Sequence, residues 1–197
     1  MTIATYITLS RLMMALLMVP IIYLHEEAGY RFAVVLFACA VATDLLDGFV
    51  ARRFNQMTAL GARLDPLVDK ILIYLVTFSL MHAGAIEPLL VFAMFLRDMV
   101  VDSLRSEMAR TSNVLGANFW GKAKFGFQSL SILCSLCFCI TGRTEFLSGA
   151  NIALSFAIAV SLPGLVIVAS AFERKVRTKD GEGAPSFATA ISASRFF

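Results

Sequence analysis

The sequence predicts an all-α, polytopic membrane protein: a six-transmembrane-helix bundle formed by a single domain. Of its 197 residues, 58% are hydrophobic, and the mean hydropathy is +0.78. An ordinary soluble domain is only about 45–50% apolar, so a soluble helical core is the weaker alternative. The net charge of +3 is too small to indicate a nucleic-acid partner.

Six apolar segments follow one another, each close to the roughly 20 residues that a helix needs to cross a bilayer. The first has one early Arg and no small-residue cleavage site after it, so it is interpreted as a retained span rather than a signal peptide. Short breaks separate the segments: HEEAGYR, RFNQMTALGAR, HAGAIEP, RTSNVLGANFWG and TGRTEFLSG. The predicted spans cover residues 5–24, 32–52, 65–83, 86–108, 123–141 and 149–172.

Charge decides the orientation and the domain boundary. After the sixth segment the sequence becomes charged and contains glycine, so residues 1–176 are predicted to form the six-span domain and residues 177–197 a polar cytosolic tail.

Basic residues near helix ends mark the cytosolic side. With the N-terminus inside, only Arg31 and Arg143 fall in outer loops, Arg97 lies within a span, and the other 14 basic residues lie inside. We expect a multi-pass protein of the cell inner (cytoplasmic) membrane with both termini in the cytosol.

Four aspartates occur in the stretch DLLDGFVARRFNQMTALGARLDPLVDK, which begins at Asp44. Asp44 and Asp47 are three residues apart, and Asp65 and Asp69 are four apart, so each pair shares one face of a helix. The intervening loop is short, so we expect the two helices to be antiparallel neighbours whose inner ends gather the four carboxylates. Such a cluster repels itself or takes up protons unless cations intervene. Carboxylate oxygens suit Mg²⁺, Mn²⁺ or Ca²⁺, and a two-ion site is a common device for displacement at phosphorus. The alternative is simple solvation of the acids at the helix ends.

Small residues and a cation accompany the aspartates. Gly48, Ala51 and Gly61 would leave room for a bulky ligand beside the cluster, although each is also typical of close helix packing. Arg52 adds a guanidinium group, which is suited to binding phosphate. The pattern therefore favours a phosphate-bearing ligand.

The stretch resembles the signature of the CDP-alcohol phosphatidyltransferase family. That signature is Asp, two residues, Asp-Gly, two residues, Ala-Arg, eight residues, Gly, three residues, Asp, three residues, Asp. All spacings are kept, and the matching positions are Asp44, Asp47, Gly48, Ala51, Arg52, Gly61, Asp65 and Asp69. The resemblance extends over most of the chain, because six spans with a cytosolic site are also the family's layout.

The resemblance implies an enzyme that moves a phosphatidyl-type group from a CDP-linked lipid to an alcohol and releases CMP. It implies that Asp44, Asp47 and Asp65 ligate two divalent cations, Mg²⁺ or Mn²⁺, with Asp69 beside them in the metal site. Asp69 is the family's candidate base for the acceptor hydroxyl. The remaining implied positions form the CDP-lipid site: Asp44, Gly48, Ala51, Arg52 and Gly61. The family also forms homodimers, so we expect one.

The second half of the chain is similar to the phosphatidylglycerophosphate synthase subgroup of that family. The matching elements are Arg97-Asp98, Ser103-Leu104-Arg105 with Glu107, and Gly121-Lys122 with Lys124. This similarity implies CDP-diacylglycerol and glycerol 3-phosphate as substrates and phosphatidylglycerophosphate as product. Arg105, Lys122 and Lys124 would clamp the acceptor's phosphate, although ordinary cytosolic-side charge is the alternative. Arg97, Asp98 and Asp102 alternatively pair within their own helix.

The sequence also departs from this subgroup. Ala4 and Thr5 stand where a Pro-Asn pair is usual, Asp98 replaces the usual Glu, and Phe125 replaces the usual Thr, whereas Thr8 and Arg11 are kept. Another phosphorylated acceptor such as inositol phosphate therefore stays open. The alternative of a different class is a divalent-cation transporter, but transporters typically bind ions near the bilayer midplane. A non-catalytic family member is less consistent with the presence of all four aspartates.

Overall fold

The described part of the chain is entirely helical. The computed structural model describes residues 3–24, 26–54, 61–109 and 119–180, and it describes side chains within 9–24, 26–43, 66–108 and 120–173. Six helices cover these ranges: α1 (Ile3–Tyr23), α2 (Glu27–Phe54), α3 (Gly61–His82), α4 (Pro88–Ala109), α5 (Phe119–Thr141) and α6 (Thr144–Asp180). No strand occurs in these ranges. The predicted all-α class is confirmed, and each predicted apolar segment coincides with one helix.

Local sequence explains where several helices begin and end. Gly84 and Gly142 have φ values of 71° and 65°, a left-handed backbone conformation that glycine adopts without steric cost. At the end of α3, Ala85 N donates to Leu80 O at 2.9 Å, the long bond of a Schellman motif. At the start of α4, Pro88 occupies the first helical position, where its missing N–H costs nothing. Glu87 N, just before it, donates to Asn151 Oδ1 of α6 at 3.0 Å.

Packing arranges the helices around one main core. α5 and α6 form the most extensive pair, α1 packs against α2 and α3, and α4 packs against α6. Smaller contacts join α2 to α5, α3 to α5 and α3 to α4. The core contains fully buried apolar side chains such as Met18, Phe37, Leu80 and Leu136. Among the described residues, α1 and α5 are the main neighbours of α2. The predicted meeting of the inner ends of α2 and α3 concerns residues 44–65, whose side chains lie outside the described part of the chain, so it stays a prediction.

Within the described residues, two helices are long and apolar enough to cross a membrane: Trp120–Thr141 and Thr144–Glu173. The six-span bundle therefore stays a prediction. Large apolar side chains are also exposed on the other helices, including Leu16, Phe32 and Leu89. Exposed apolar surface of this extent marks a membrane or partner interface rather than a water-facing surface. The protein is thus associated with a membrane, through an all-helical bundle.

The last helix is longer than the sequence indicates. The predicted sixth span ends at residue 172, whereas α6 runs for 37 residues to Asp180 without interruption. It therefore continues past the predicted domain boundary at residue 176. The reason is that charged residues such as Arg174 and Lys175 end an apolar run, but they are good helix formers and do not end a helix.

Candidate active site

A cavity of about 650 Å³ lies at one end of the bundle. Its walls come from the first half of α3, the second half of α4 and the first half of α5, which meet because successive helices carry the chain back and forth. Val41 of α2 and Gly164 of α6 complete the lining. Five basic and three acidic side chains line the cavity: Lys70, Arg97, Arg105, Lys122, Lys124, Asp69, Asp98 and Asp102. Among the described lining residues, positive charges therefore outnumber negative charges by two.

The structure brings together two groups of residues that the sequence predicts for different tasks. Asp69, the predicted base, lies in the wall of the same cavity as Arg105, Lys122 and Lys124, the predicted phosphate clamp. These residues come from α3, α4 and α5. A ligand in this cavity can thus contact a carboxylate and several cations at once.

Asp69 is held from α1. Arg11 Nη1 donates to Asp69 Oδ1 at 2.5 Å, and the Arg11 side chain is 1% exposed while that of Asp69 is 24% exposed. A buried guanidinium needs a carboxylate partner, since an uncompensated charge in an apolar core is costly. The charged bond therefore fixes the orientation of a carboxylate whose other side reaches the cavity.

A second charged cluster lies deeper in the wall, centred on Asp98. Asp98 Oδ2 accepts hydrogen bonds from Tyr74 Oη at 2.6 Å and from Lys124 Nζ at 2.5 Å, and Oδ1 accepts one from Arg97 Nη1 at 2.8 Å. Arg97 Nη2 also donates to the Ser161 carbonyl of α6. The predicted pairing within α4 is confirmed for Arg97 and Asp98, but the cluster also joins α3, α5 and α6.

Asp102 pairs with a different helix instead of its own. Lys70 Nζ of α3 lies 2.5 Å from Asp102 Oδ2 of α4, and both side chains are about one third exposed. The expectation that Asp102 pairs within α4 is therefore wrong. The pair leaves Lys70 and Asp102 electrically balanced, so that the excess positive charge of the cavity belongs to the α4 and α5 cations.

Two further polar side chains have unused hydrogen-bonding capacity. Arg105 Nε is buried and has no hydrogen-bond partner among the residues that the structure describes. The same holds for Ser129 Oγ, in a residue that lines the cavity and is 8% exposed. The other buried serines of the described helices, Ser79, Ser131, Ser135 and Ser161, all form hydrogen bonds. Buried polar groups without partners in a cavity wall are typical of ligand or water contacts.

The remaining signature residues lie in or near the same end of the bundle by backbone position. Asp44, Asp47, Gly48, Ala51 and Arg52 belong to the second half of α2, and Gly61 and Asp65 to the first turns of α3. Their side chains lie outside the described part of the chain. The metal site and the CDP-lipid site therefore stay predictions. The donor set itself fits hard divalent cations, because it consists of carboxylates, and the described member, Asp69, faces the cavity.

Comparison with known proteins decides the family. The profile of the CDP-alcohol phosphatidyltransferase family matches residues 1–170 of the 197. The chain belongs to this family. It is therefore a phosphotransferase enzyme of phospholipid biosynthesis, and the divalent-cation transporter is the weaker alternative.

Several relatives of this CDP-alcohol phosphatidyltransferase carry one name. The CDP-diacylglycerol--glycerol-3-phosphate 3-phosphatidyltransferase of Mycoplasma pneumoniae is 33% identical over 140 residues, 71% of this chain and 61% of that protein. The protein of the same name from Wigglesworthia glossinidia brevipalpis is 33% identical over 138 residues, 67% of this chain and 75% of its own. The match thus spans less than two thirds of the Mycoplasma protein.

A relative of different name is more similar over a shorter stretch. The human cardiolipin synthase (CMP-forming) is 46% identical over 80 residues, which make up 40% of this chain and 27% of that protein. The first name states glycerol 3-phosphate as the acceptor, whereas the second states that CMP is formed and names no acceptor. The acceptor has to be argued from the cavity.

Sequence reasoning missed several residues of this cavity. It assigned no role to Tyr74 and Lys70 of α3, to Gly164 of α6, or to Gln128 and Ser129 of α5, all of which line the cavity. It noted Arg11 only as a residue kept from the subgroup's N-terminal pattern. A buried position for Arg11 was indicated by its place inside an apolar segment, since a lone charge in a spanning helix is usually paired and functional.

Proposed function

We propose that this enzyme transfers the phosphatidyl group of CDP-diacylglycerol to glycerol 3-phosphate, giving phosphatidylglycerophosphate and CMP. The observation that carries the proposal is the cavity shared by Asp69 and the three cations Arg105, Lys122 and Lys124. A phosphorylated alcohol needs both features: a carboxylate near its hydroxyl and cations around its phosphate. The names of the Mycoplasma and Wigglesworthia relatives support the same pair of substrates.

The reaction requires one bond to form and one to break at the phosphatidyl phosphorus. The primary hydroxyl of glycerol 3-phosphate attacks that phosphorus, and the bond to the CMP oxygen breaks, so that CMP departs with the bonding electrons. Asp69 accepts the proton that the hydroxyl loses. Arg11 keeps the Asp69 carboxylate in place through its hydrogen bond to Oδ1. Arg105, Lys122 and Lys124 hold the acceptor's phosphate and thereby orient its hydroxyl.

Two divalent cations, Mg²⁺ or Mn²⁺, would be held by Asp44, Asp47, Asp65 and Asp69. When bound, they neutralise charge on the diphosphate and on departing CMP. The CDP-lipid site would comprise Asp44, Gly48, Ala51, Arg52 and Gly61. The same proposal places six spans in the inner (cytoplasmic) membrane, with the site and both termini on the cytosolic side, in a homodimer. The 14 basic residues assigned to the inner side support this orientation.

The charge of the described cavity lining supports glycerol 3-phosphate over a phosphodiester acceptor. A phosphate monoester carries close to two negative charges at neutral pH, because its second pKa is about 6. A phosphodiester such as phosphatidylglycerol carries one. The described part of the lining has five basic and three acidic side chains, and this excess of positive charge supports a doubly charged monoester. Phosphatidylglycerol stays the second candidate acceptor because of the 46% identity to human cardiolipin synthase, and inositol phosphate, also a monoester, stays the third.

A panel of acceptors tests the proposal. Purified protein in detergent micelles would receive CDP-diacylglycerol, Mg²⁺ and one acceptor at a time: glycerol 3-phosphate, inositol phosphate, phosphatidylglycerol or glycerol. CMP release and the mass of the lipid product would be measured. We expect phosphatidylglycerophosphate with glycerol 3-phosphate and much slower turnover with the others. Faster turnover with phosphatidylglycerol or inositol phosphate would contradict glycerol 3-phosphate as the acceptor. No CMP release with any of the four acceptors would contradict the whole proposal.

A further inference from the structure

Asp98 is the most buried acid of the cavity and the point where three helices meet. Its side chain is 3% exposed. It accepts one hydrogen bond from each of three donors: Tyr74 of α3, Arg97 of α4 and Lys124 of α5. A carboxylate so buried is stable only when charged donors surround it. The three hydrogen bonds fix the Asp98 carboxylate and also restrain the side chains of Tyr74, Arg97 and Lys124.

The charges around Asp98 do not cancel. One carboxylate faces two cations, Arg97 and Lys124, whose side chains are each 14% exposed. An ammonium group has three N–H donors, and Asp98 takes one of those of Lys124. Arg97 uses Nη1 on Asp98 and Nη2 on the Ser161 carbonyl, while its Nε has no hydrogen-bond partner among the described residues. Among the described residues, the cluster therefore has one more positive than negative charge, and Lys124 has further N–H donors at the cavity wall.

We propose that Asp98 is the positioning residue of the acceptor subsite. Its carboxylate fixes the Lys124 ammonium against the cavity wall, so that the remaining N–H groups of Lys124 meet the phosphate of the acceptor. Without this anchor, the flexible stem of Lys124 would leave the ammonium in many positions. The inference rests on the proposed function, because it names the phosphate of that acceptor as the ligand of Lys124. Asp98 itself contacts neither substrate.

A positioning role differs measurably from a structural one. A residue that only braces the bundle changes the amount of folded protein, or changes all kinetic constants together. A residue that acts through Lys124 changes the KM for the acceptor and leaves the KM for CDP-diacylglycerol unchanged. Its effect also disappears when Lys124 is already absent, since two residues that act as one unit are not additive.

The experiment is a double-mutant cycle of Asp98→Asn and Lys124→Met, measured as the acceptor KM at saturating CDP-diacylglycerol. We expect D98N to raise this KM by about tenfold, K124M to raise it by at least as much, and the double variant to match K124M. Asp98→Glu keeps the charge and should stay within about threefold of the wild type. Arg143→Met is the control, because Arg143 is exposed between α5 and α6 and does not line the cavity, so this variant should keep the wild-type acceptor KM.

Three outcomes would overturn the proposal. The first is a double variant whose acceptor KM is the product of the two single effects. The second is a D98N variant in which the KM values of both substrates rise equally, and the third is a D98E variant no better than D98N. If D98N does not fold, the charge-conserving D98E is combined with K124M instead, and an acceptor KM higher than that of K124M alone contradicts action through Lys124.

The outcome is separable from that of the proposed function. The wild-type enzyme is first given the acceptor panel, and the cycle is then measured with whichever acceptor it uses best. A preference for inositol phosphate would contradict glycerol 3-phosphate as the substrate, yet the cycle would still test Asp98. Conversely, fast turnover of glycerol 3-phosphate together with multiplying effects would overturn only the role of Asp98.

Discussion

Arg11 and Asp69 lie 58 residues apart in the sequence, and Arg11 Nη1 donates to Asp69 Oδ1 at 2.5 Å. The arginine is almost completely buried on α1, whereas the aspartate reaches the cavity from α3. The hydrogen bond thus connects the core of the bundle to the proposed base. α1 has no residue in the described cavity lining, yet it orients Asp69 through Arg11.

Replacing Arg11 should therefore affect both folding and catalysis. In Arg11→Gln, Asp69 loses its charged partner, so we expect the free energy of unfolding to fall by about 3 kcal/mol. Turnover should fall by about tenfold or more, because the base is no longer held in one orientation. Arg11→Lys keeps the charge without the fork geometry of guanidinium. Its stability and turnover should therefore lie between those of the wild type and R11Q. Thermal unfolding in detergent and CMP release measure the effects; an R11Q variant with wild-type kcat would contradict the role.

Hydropathy predicted the helices because the signal is local. Each apolar run became one helix, and Gly84 and Gly142 end α3 and α5 where the chain needs a left-handed residue. The α6 end was missed by about two turns, because hydropathy registers the end of an apolar run and not the end of hydrogen bonding. The four-aspartate signature was visible for the same local reason: its spacings lie within 26 residues.

Contacts between distant segments were not predictable in this way. Charge counts alone gave no reason to pair Lys70 with Asp102, or Asp98 with Lys124, across 32 and 26 residues. These pairs depend on which helix faces which, and hydropathy does not encode that. The sequence therefore indicated which side chains carry the chemistry, whereas only the packing indicates which of them hold one another in place.

Asp69→Asn tests the base. The amide keeps the size of the side chain but cannot accept the proton of the acceptor hydroxyl, so CMP release should fall by about 100-fold or more. The variant should still fold, and its unfolding temperature separates lost chemistry from lost structure. The matched control is Glu145→Gln, an exposed acid in the first turn of α6, which should keep wild-type turnover. Full activity in D69N would exclude Asp69 from the base role.

Arg105→Met tests the phosphate clamp. The buried Arg105 Nε has no partner among the described residues, so the loss of this side chain breaks no ion pair of the described structure and should cost little stability. We expect the KM for glycerol 3-phosphate to rise by about tenfold or more, which is the loss of one charge-assisted hydrogen bond, with the KM for CDP-diacylglycerol unchanged. Arg143→Met, at an exposed position between α5 and α6, is the control. Equal changes in both KM values would contradict an acceptor role.

Chelation tests the metal site independently of the acceptor. Treatment with EDTA should abolish CMP release, and added Mg²⁺ or Mn²⁺ should restore it, since four carboxylates form a hard-oxygen donor set. Asp47→Asn should raise the Mn²⁺ concentration needed for half-maximal activity, and Mn²⁺ binding can be followed directly by electron paramagnetic resonance. Unchanged activity after exhaustive chelation would contradict a divalent-cation requirement.

Gly164 tests how closely α6 confines the cavity. A Cβ atom at Gly164 would lie 3.4 Å from Arg97 Nη2 and 3.8 Å from Trp120 Cβ. Gly164→Ala should therefore move the Arg97 guanidinium slightly and raise the acceptor KM by about threefold. The larger side chain of Gly164→Leu should occupy part of the cavity and raise the acceptor KM further. Gly149→Ala on the same helix is the control, because its Cβ would meet only Cys134 Sγ at 3.8 Å. If G164L and G149A both keep the acceptor KM of the wild type, the acceptor does not reach the α6 wall.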